Sequence, residues 1–127
     1  KDIIHFLESN QIVPTAMIDV SDGLSSDLLH ICKQSVCGAM IYESKLPIHE
    51  ETYNTALQFN LDPTMCALNG GEDYELLFTI DPKHLKTVLE NPAITVIGKI
   101  TDFENGCKLE TKGGAQHPLI AQGWVHV

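Results

Sequence analysis

The sequence contains no arginine. Eight lysines carry all of its formal positive charge against seventeen Asp and Glu, a net charge of −9 over 127 residues. A basic stripe is the usual footprint of nucleic-acid or anionic-membrane binding, so this balance argues against both as partners. Any phosphate the chain meets needs another source of positive charge. Aromatics are scarce, with four Phe, three Tyr and one Trp, so aliphatic side chains must fill most of the core. No apolar run approaches the roughly 20 residues of a membrane helix, and no secretory leader pattern opens the chain. Cys32, Cys37, Cys66 and Cys107 form no C-x-x-C pair and no knuckle spacing. They read as free thiols in a reducing compartment, which predicts a cytoplasmic protein.

What is present is enough for one domain with a real core: 127 residues, 43% of them hydrophobic. The predicted elements begin with a helix over about residues 2–9. Because that helix looks already in progress and no initiator Met precedes it, the chain is expected to be a fragment. A buried strand should follow Pro14 and end at Asp19. Residues 22–35 follow a helical period, with Leu24, Leu28, Ile31 and Cys32 on the apolar side. Ser25, Asp27, Lys33 and Gln34 fall mostly on the polar side, Ser21 or Asp22 serves as N-cap, and Gly38 ends the helix. A strand over 39–42 and helices over 50–60 and 63–69 come next. A nearly continuous apolar strand should run from Tyr74 to Ile80, and a helix should start at Asp81-Pro82. Strands are predicted over 95–100, 107–110 and 116–120, the last two forming a hairpin. The fold class is α+β: a mixed β-sheet covered by helices, one domain spanning 1–127.

Two acidic-glycine blocks carry the chemistry: Ile18-Asp19-Val20-Ser21-Asp22-Gly23-Leu24 and Gly70-Gly71-Glu72-Asp73-Tyr74-Glu75-Leu76. On an extended segment Asp19 and Ser21 project to one face, and Asp22 turns into the first helical turn. Mg²⁺ takes one or two carboxylates and leaves its other positions to water and substrate phosphates. The Ser21 hydroxyl and adjacent helix N–H groups are donors for a phosphate oxygen at a helix N-terminus. The same residues serve equally as an ordinary helix cap with a solvated strand end. EF-hand, aspartic-protease and aspartyl-phosphatase spacings are absent. In the second block, paired glycines let another group approach the backbone, and Glu72 and Asp73 leave a tight loop at a strand end, as exposed acids or as a grip on a ligand. Trp124, the only tryptophan, either covers the core or offers a flat face for stacking. The six histidines lack ligand spacing and read as surface residues, and no Ser/His/Asp or Cys/His arrangement assigns a catalytic side chain.

Together the segments Ala16-Met-Ile-Asp-Val-Ser-Asp-Gly-Leu-Ser-Ser-Asp-Leu-Leu-His-Ile31 and Gly70-Gly-Glu-Asp-Tyr-Glu-Leu-Leu-Phe-Thr79 resemble the C-terminal domain of thiamine-monophosphate kinase. That family belongs to the superfamily of aminoimidazole ribonucleotide synthetase and selenophosphate synthetase. The resemblance implies ATP-dependent phosphorylation of thiamine monophosphate to thiamine diphosphate with Mg²⁺. It implies that Asp19 and Asp22 are magnesium ligands, Ser21 an ATP contact, and Glu72 and Trp124 substrate-binding residues. It further implies a missing N-terminal domain that supplies most of the ATP site, an arginine and a homodimer interface, so that this chain alone is folded but inactive. The alternatives are another ATP-dependent synthetase of the superfamily, or a non-catalytic acidic domain that binds a cation or a partner.

Overall fold

Hydrophobic period and turn chemistry account for most elements of the computed structural model, which describes residues 2–69 and 76–124. The helices are α1 Asp2–Ser9, α2 Leu24–Ser35, α3 Glu50–Gln58, α4 Pro63–Asn69 and α5 Leu85–Leu89. The strands are β1 Ala16–Asp19, β2 Gly38–Tyr42, β3 Leu76–Thr79, β4 Gly98–Thr101, β5 Cys107–Glu110, β6 Gln116–Ile120 and β7 Gly123–Trp124. β1 pairs antiparallel with β3, and a separate five-stranded sheet runs in the order β4-β2-β5-β6-β7. That sheet is mixed, because β2 and β5 are parallel while its other pairings are antiparallel. The expected α+β class is therefore found, with its strands divided between two sheets.

Several boundaries follow local chemistry. Asp62 Oδ1 accepts the Thr64 N–H at 2.9 Å before α4. Asp81 Oδ1 accepts the Lys83 N–H at 2.9 Å, as its Asp-Pro pair predicted. The second of these starts as a 3-10 turn over Pro82–His84 and becomes α5 only at Leu85. Other expectations need correction. β1 is not buried throughout but alternates half-buried and exposed positions, since it packs on the core with one face only. Residues 95–97 stay irregular and β4 begins at Gly98. Gly38 opens β2 instead of ending α2. The helix stops at Ser35, and Val36 takes the left-handed conformation (φ 52°, ψ 57°) in which its N–H bonds the Cys32 carbonyl.

The apolar face of α2 (Leu24, Leu28, Ile31, Cys32) packs on Ala39 and Ile41 of β2, Leu109 of β5 and Leu119 of β6. Leu68 and Leu109 are completely buried. Truncating either to Ala would cost about 2–5 kcal/mol. A second cluster joins Leu7, Ile12 and Val88 beneath α1 and α5. An apolar cleft of about 860 Å³ separates β3 from the β2–β4 side, and among the described residues no Asp or Glu lines it.

Candidate functional site

β1 ends at Asp19 and α2 begins at Leu24, so the first acidic block is the connection between them. Val20 is buried at 7% exposure and pins that connection to the core, while Asp19, Ser21 and Asp22 face solvent around it. The alternation expected from the strand thus brings Asp19 and Ser21 to the open side, with Asp22 beside them. Neither acidic side chain accepts a hydrogen bond among the described residues, which leaves two carboxylates available to a cation.

The N-cap is neither Ser21 nor Asp22. It is Gly23, at φ 122° and ψ 151°, and no side chain caps the helix there. The reason is Asp27, one turn into α2. Its Oδ2 accepts the Ser21 N–H at 2.8 Å and the Asp22 N–H at 3.3 Å. Asp27 is only 4% exposed and Ser25 is fully buried, so both leave the polar side predicted for them. They are inside because each meets backbone groups there, and a satisfied polar group tolerates burial. A carboxylate in the first turn also sits favourably with the helix dipole. The Ser21 and Asp22 N–H groups, which precede α2, are thereby committed to Asp27, and the Ser21 hydroxyl remains. Helical periodicity could not find this residue, because its partners lie before the helix starts.

The described residues that bound the second block, Asn69 and Leu76, both lie against the first. Asp19 is the register partner of Leu76, the first residue of β3. A Cβ on Gly23 would stand 2.8 Å from the Asn69 carbonyl oxygen, at the end of α4. Both described flanks of the second block therefore touch the first. Glu72, like the rest of residues 70–75, lies outside the described residues.

Trp124 is 4% exposed and belongs to the main core, paired through β7 with Leu119. Its strand is tied to α2 by the Ser25 hydroxyl, which contacts the carbonyl oxygens of Ile120 and, at 3.2 Å, Gly123. A side chain at Gly123 would run into the Met65 thioether. The first turn of α2 thus contacts the acidic block through Asp27 and the turn before Trp124 through Ser25.

Two further groupings escaped sequence reasoning. Glu43 takes the Thr64 hydroxyl at 2.7 Å and the Lys112 N–H at 2.9 Å, joining α4 to the β5–β6 turn. Partial burial works to raise its pKa, yet these two hydrogen bonds and the Lys112 charge together hold it below the ordinary carboxylate range. Cys107, 75 residues from Cys32 in sequence, and Cys37 both pack against the core cluster that holds Cys32. Burial first, and the neighbouring thiols second, push the Cys32 thiol far up. All four cysteines are free. Among the described residues no three His, Cys, Asp or Glu gather as a metal cluster. His5, His30 and His49 are exposed, His84 and His117 are half-buried, and His126 lies outside the described residues. No helix of the described residues is long and apolar enough to cross a membrane.

No family model matches the chain. Individual relatives do. A thiamine-monophosphate kinase of Buchnera aphidicola subsp. Schizaphis graminum is 45% identical over 105 residues, 76% of this chain and 31% of the relative. That of Nitrosopumilus maritimus is 34% identical over 131 residues, 99% of this chain and 40% of the relative. The chain thus spans about a third of the length of the curated relatives it matches. A solved structure of AaThiL complexed with AMPPCP and TMP superposes with a TM-score of 0.67 at 30% identity, over 98% of this chain and 37% of the other. The hydrogenase maturation protein HypE shares the fold, with a TM-score of 0.74 at 21% identity over 94% of this chain and 40% of the other. By sequence along nearly its whole length and by its aminoimidazole ribonucleotide synthetase-like fold, the chain belongs to the thiamine-monophosphate kinase family, as a segment of it.

Proposed function

We propose that this chain is the C-terminal part of a two-domain cytoplasmic kinase that transfers a phosphoryl group from ATP to thiamine monophosphate. The observation that carries the reading is the pair of solvent-facing carboxylates, Asp19 and Asp22, on either side of Ser21 at the β1–α2 connection. It stands in a chain whose relatives bear that enzyme's name. Phosphoryl transfer asks a protein for positioning and charge neutralisation more than for covalent chemistry. Two exposed oxygen ligands without a third protein ligand suit Mg²⁺, which keeps waters and takes phosphate oxygens. Asp19 and Asp22 would hold it, and when bound it would offset the phosphate charge that no arginine here can meet. The Ser21 hydroxyl would donate to a phosphate oxygen of the nucleotide.

Glu72 and Trp124 enter the reading as substrate residues. The flanks of the second block at Asn69 and Leu76 support the first of these, since both adjoin the metal-side block. Trp124 carries a condition: a ring buried in the isolated chain must have one face uncovered to stack on substrate. The rest of the ATP site, and a homodimer interface, would come from the N-terminal domain.

The test is turnover by the parent protein containing both parts. Thiamine diphosphate should form from thiamine monophosphate and ATP only with Mg²⁺. Asp19→Asn and Asp22→Asn should each abolish it while the unfolding midpoint holds. Absence of turnover with any phosphate acceptor removes the kinase reading in favour of a cation- or partner-binding domain.

A further inference from the structure

The connection from β1 to α2 is solvent-facing at Ser21 and Asp22, where water would satisfy backbone N–H groups at little cost. Instead, both N–H groups are taken by one oxygen of a carboxylate that is 4% exposed. Burying a charged group is expensive unless it is hydrogen-bonded, and the gain over hydration is a fixed geometry. Two positions earlier in the same turn, the buried Ser25 hydroxyl contacts the carbonyl oxygens of Ile120 and Gly123. The turn therefore grips the acidic connection at one side and the approach to Trp124 at the other.

Resting on the kinase reading above, we infer that Asp27 is a positioning residue: it fixes the backbone of Ser21 and Asp22, and with it the spacing of the Asp19 and Asp22 carboxylates. Asp27 itself touches no ligand in this arrangement. Its oxygen is engaged by the chain, so its contribution passes through the residues it holds. Supports of this kind typically change metal affinity or activity by about 10–100-fold when removed.

Two measurements test this. In the parent protein, Asp27→Ala should raise the Mg²⁺ concentration for half-maximal activity and lower kcat, by about 10-fold or more in the product of the two effects. KM for thiamine monophosphate should change little. Asp27→Asn keeps an acceptor oxygen without its charge and should recover only part of the loss, leaving the Mg²⁺ requirement measurably above wild type. A merely structural residue would shift the unfolding midpoint without moving the Mg²⁺ requirement. In the 127-residue chain itself, amide hydrogen exchange should show the Ser21 N–H protected, at least about 10-fold less so in Asp27→Ala, and to an intermediate degree in Asp27→Asn.

A folded Asp27→Ala parent with wild-type kcat and Mg²⁺ dependence overturns the inference. So does a Ser21 amide that exchanges equally fast in wild type and variants. Should Asp27→Ala fail to fold, an Asp27→Asn parent with an unchanged Mg²⁺ requirement and unchanged Ser21 exchange overturns it as well. A wild-type parent without turnover removes the kinase reading instead, and the exchange measurement then decides the Asp27 clamp alone.

Discussion

Gly23 packs so closely on the end of α4 that a Cβ there would lie 2.8 Å from the Asn69 carbonyl oxygen. Its φ of 122° is a conformation that side chains rarely adopt. Contact and conformation argue the same way. Gly23→Ala should cost at least about 1–3 kcal/mol from backbone strain, before the clash is counted. Thermal unfolding would register several degrees of loss. A Gly23→Ala variant as stable as wild type would show that the acidic connection is not pressed against the end of α4 at this point.

Val36 is the opposite case: strain that nothing nearby requires. It is a β-branched residue in the left-handed region at the end of α2, and it is 65% exposed. Glycine is the usual occupant of that position, and a left-handed residue with a side chain costs about 1–2 kcal/mol. Val36→Gly should therefore raise the unfolding midpoint, even though it removes a side chain and frees the unfolded backbone. A lowered midpoint would mean that the Val36 side chain contributes packing its exposure conceals.

Glu43 ties stability to pH. Its folded pKa lies below the ordinary Glu value, so the deprotonated form is the one the fold prefers. That contribution is fully present above the unfolded value of about 4.3. It is lost as pH falls through the lower folded value. The unfolding-midpoint difference between wild type and Glu43→Gln should be largest near neutrality and shrink in acid. Because the group is well solvated, the effect should be modest. Curves that run parallel from neutral pH into acid would rule out the charge as the source. Thr64→Val, which deletes one of the two donors, should reduce the same pH dependence.

The first acidic block was legible as a candidate site because its signal is local. Asp19, Ser21 and Asp22 sit within four residues at a change of hydrophobic period, and the strand-to-helix connection is where the structure puts them. Asp62 and Asp81 were legible for the same reason, since a capping carboxylate and its N–H partner are two residues apart. What stayed hidden depends on separation in sequence. Ser25 reads as a polar-face residue until β6 and β7 arrive, 95 and 98 positions later, to receive its hydroxyl. Glu43 has partners 21 and 69 residues away. Asp27 was hidden differently: it reaches backward past the helix start, where a helical period assigns no face.

Trp124 is the only tryptophan, so its fluorescence reports one environment. At 4% exposure it should emit at short wavelength and resist acrylamide in the isolated chain. Trp124→Ala would create a cavity worth about 3–5 kcal/mol and confound any activity assay. Trp124→Phe keeps an aromatic face at smaller cost. In the parent, thiamine monophosphate should quench the wild-type emission if the ring stacks on substrate, and Trp124→Phe should raise KM more than it lowers kcat. Unaltered emission at saturating substrate, with unaltered KM in the variant, would leave Trp124 as a core residue only.

The cysteines offer a test of packing that needs no substrate. Cys32 is 3% exposed, whereas Cys37, Cys66 and Cys107 are all half-buried. The thiolate is the reactive form, and burial together with the Cys37 and Cys107 thiols disfavours it at Cys32. Alkylation at mildly alkaline pH, followed by mass spectrometry, should modify Cys32 last of the four. Its rate should follow unfolding instead of thiolate formation, so adding denaturant should accelerate Cys32 far more than raising the pH does. Early labelling of Cys32 in the folded chain would mean that α2 does not press its apolar face onto β2 and β5, and the support proposed for the acidic connection would fail with it.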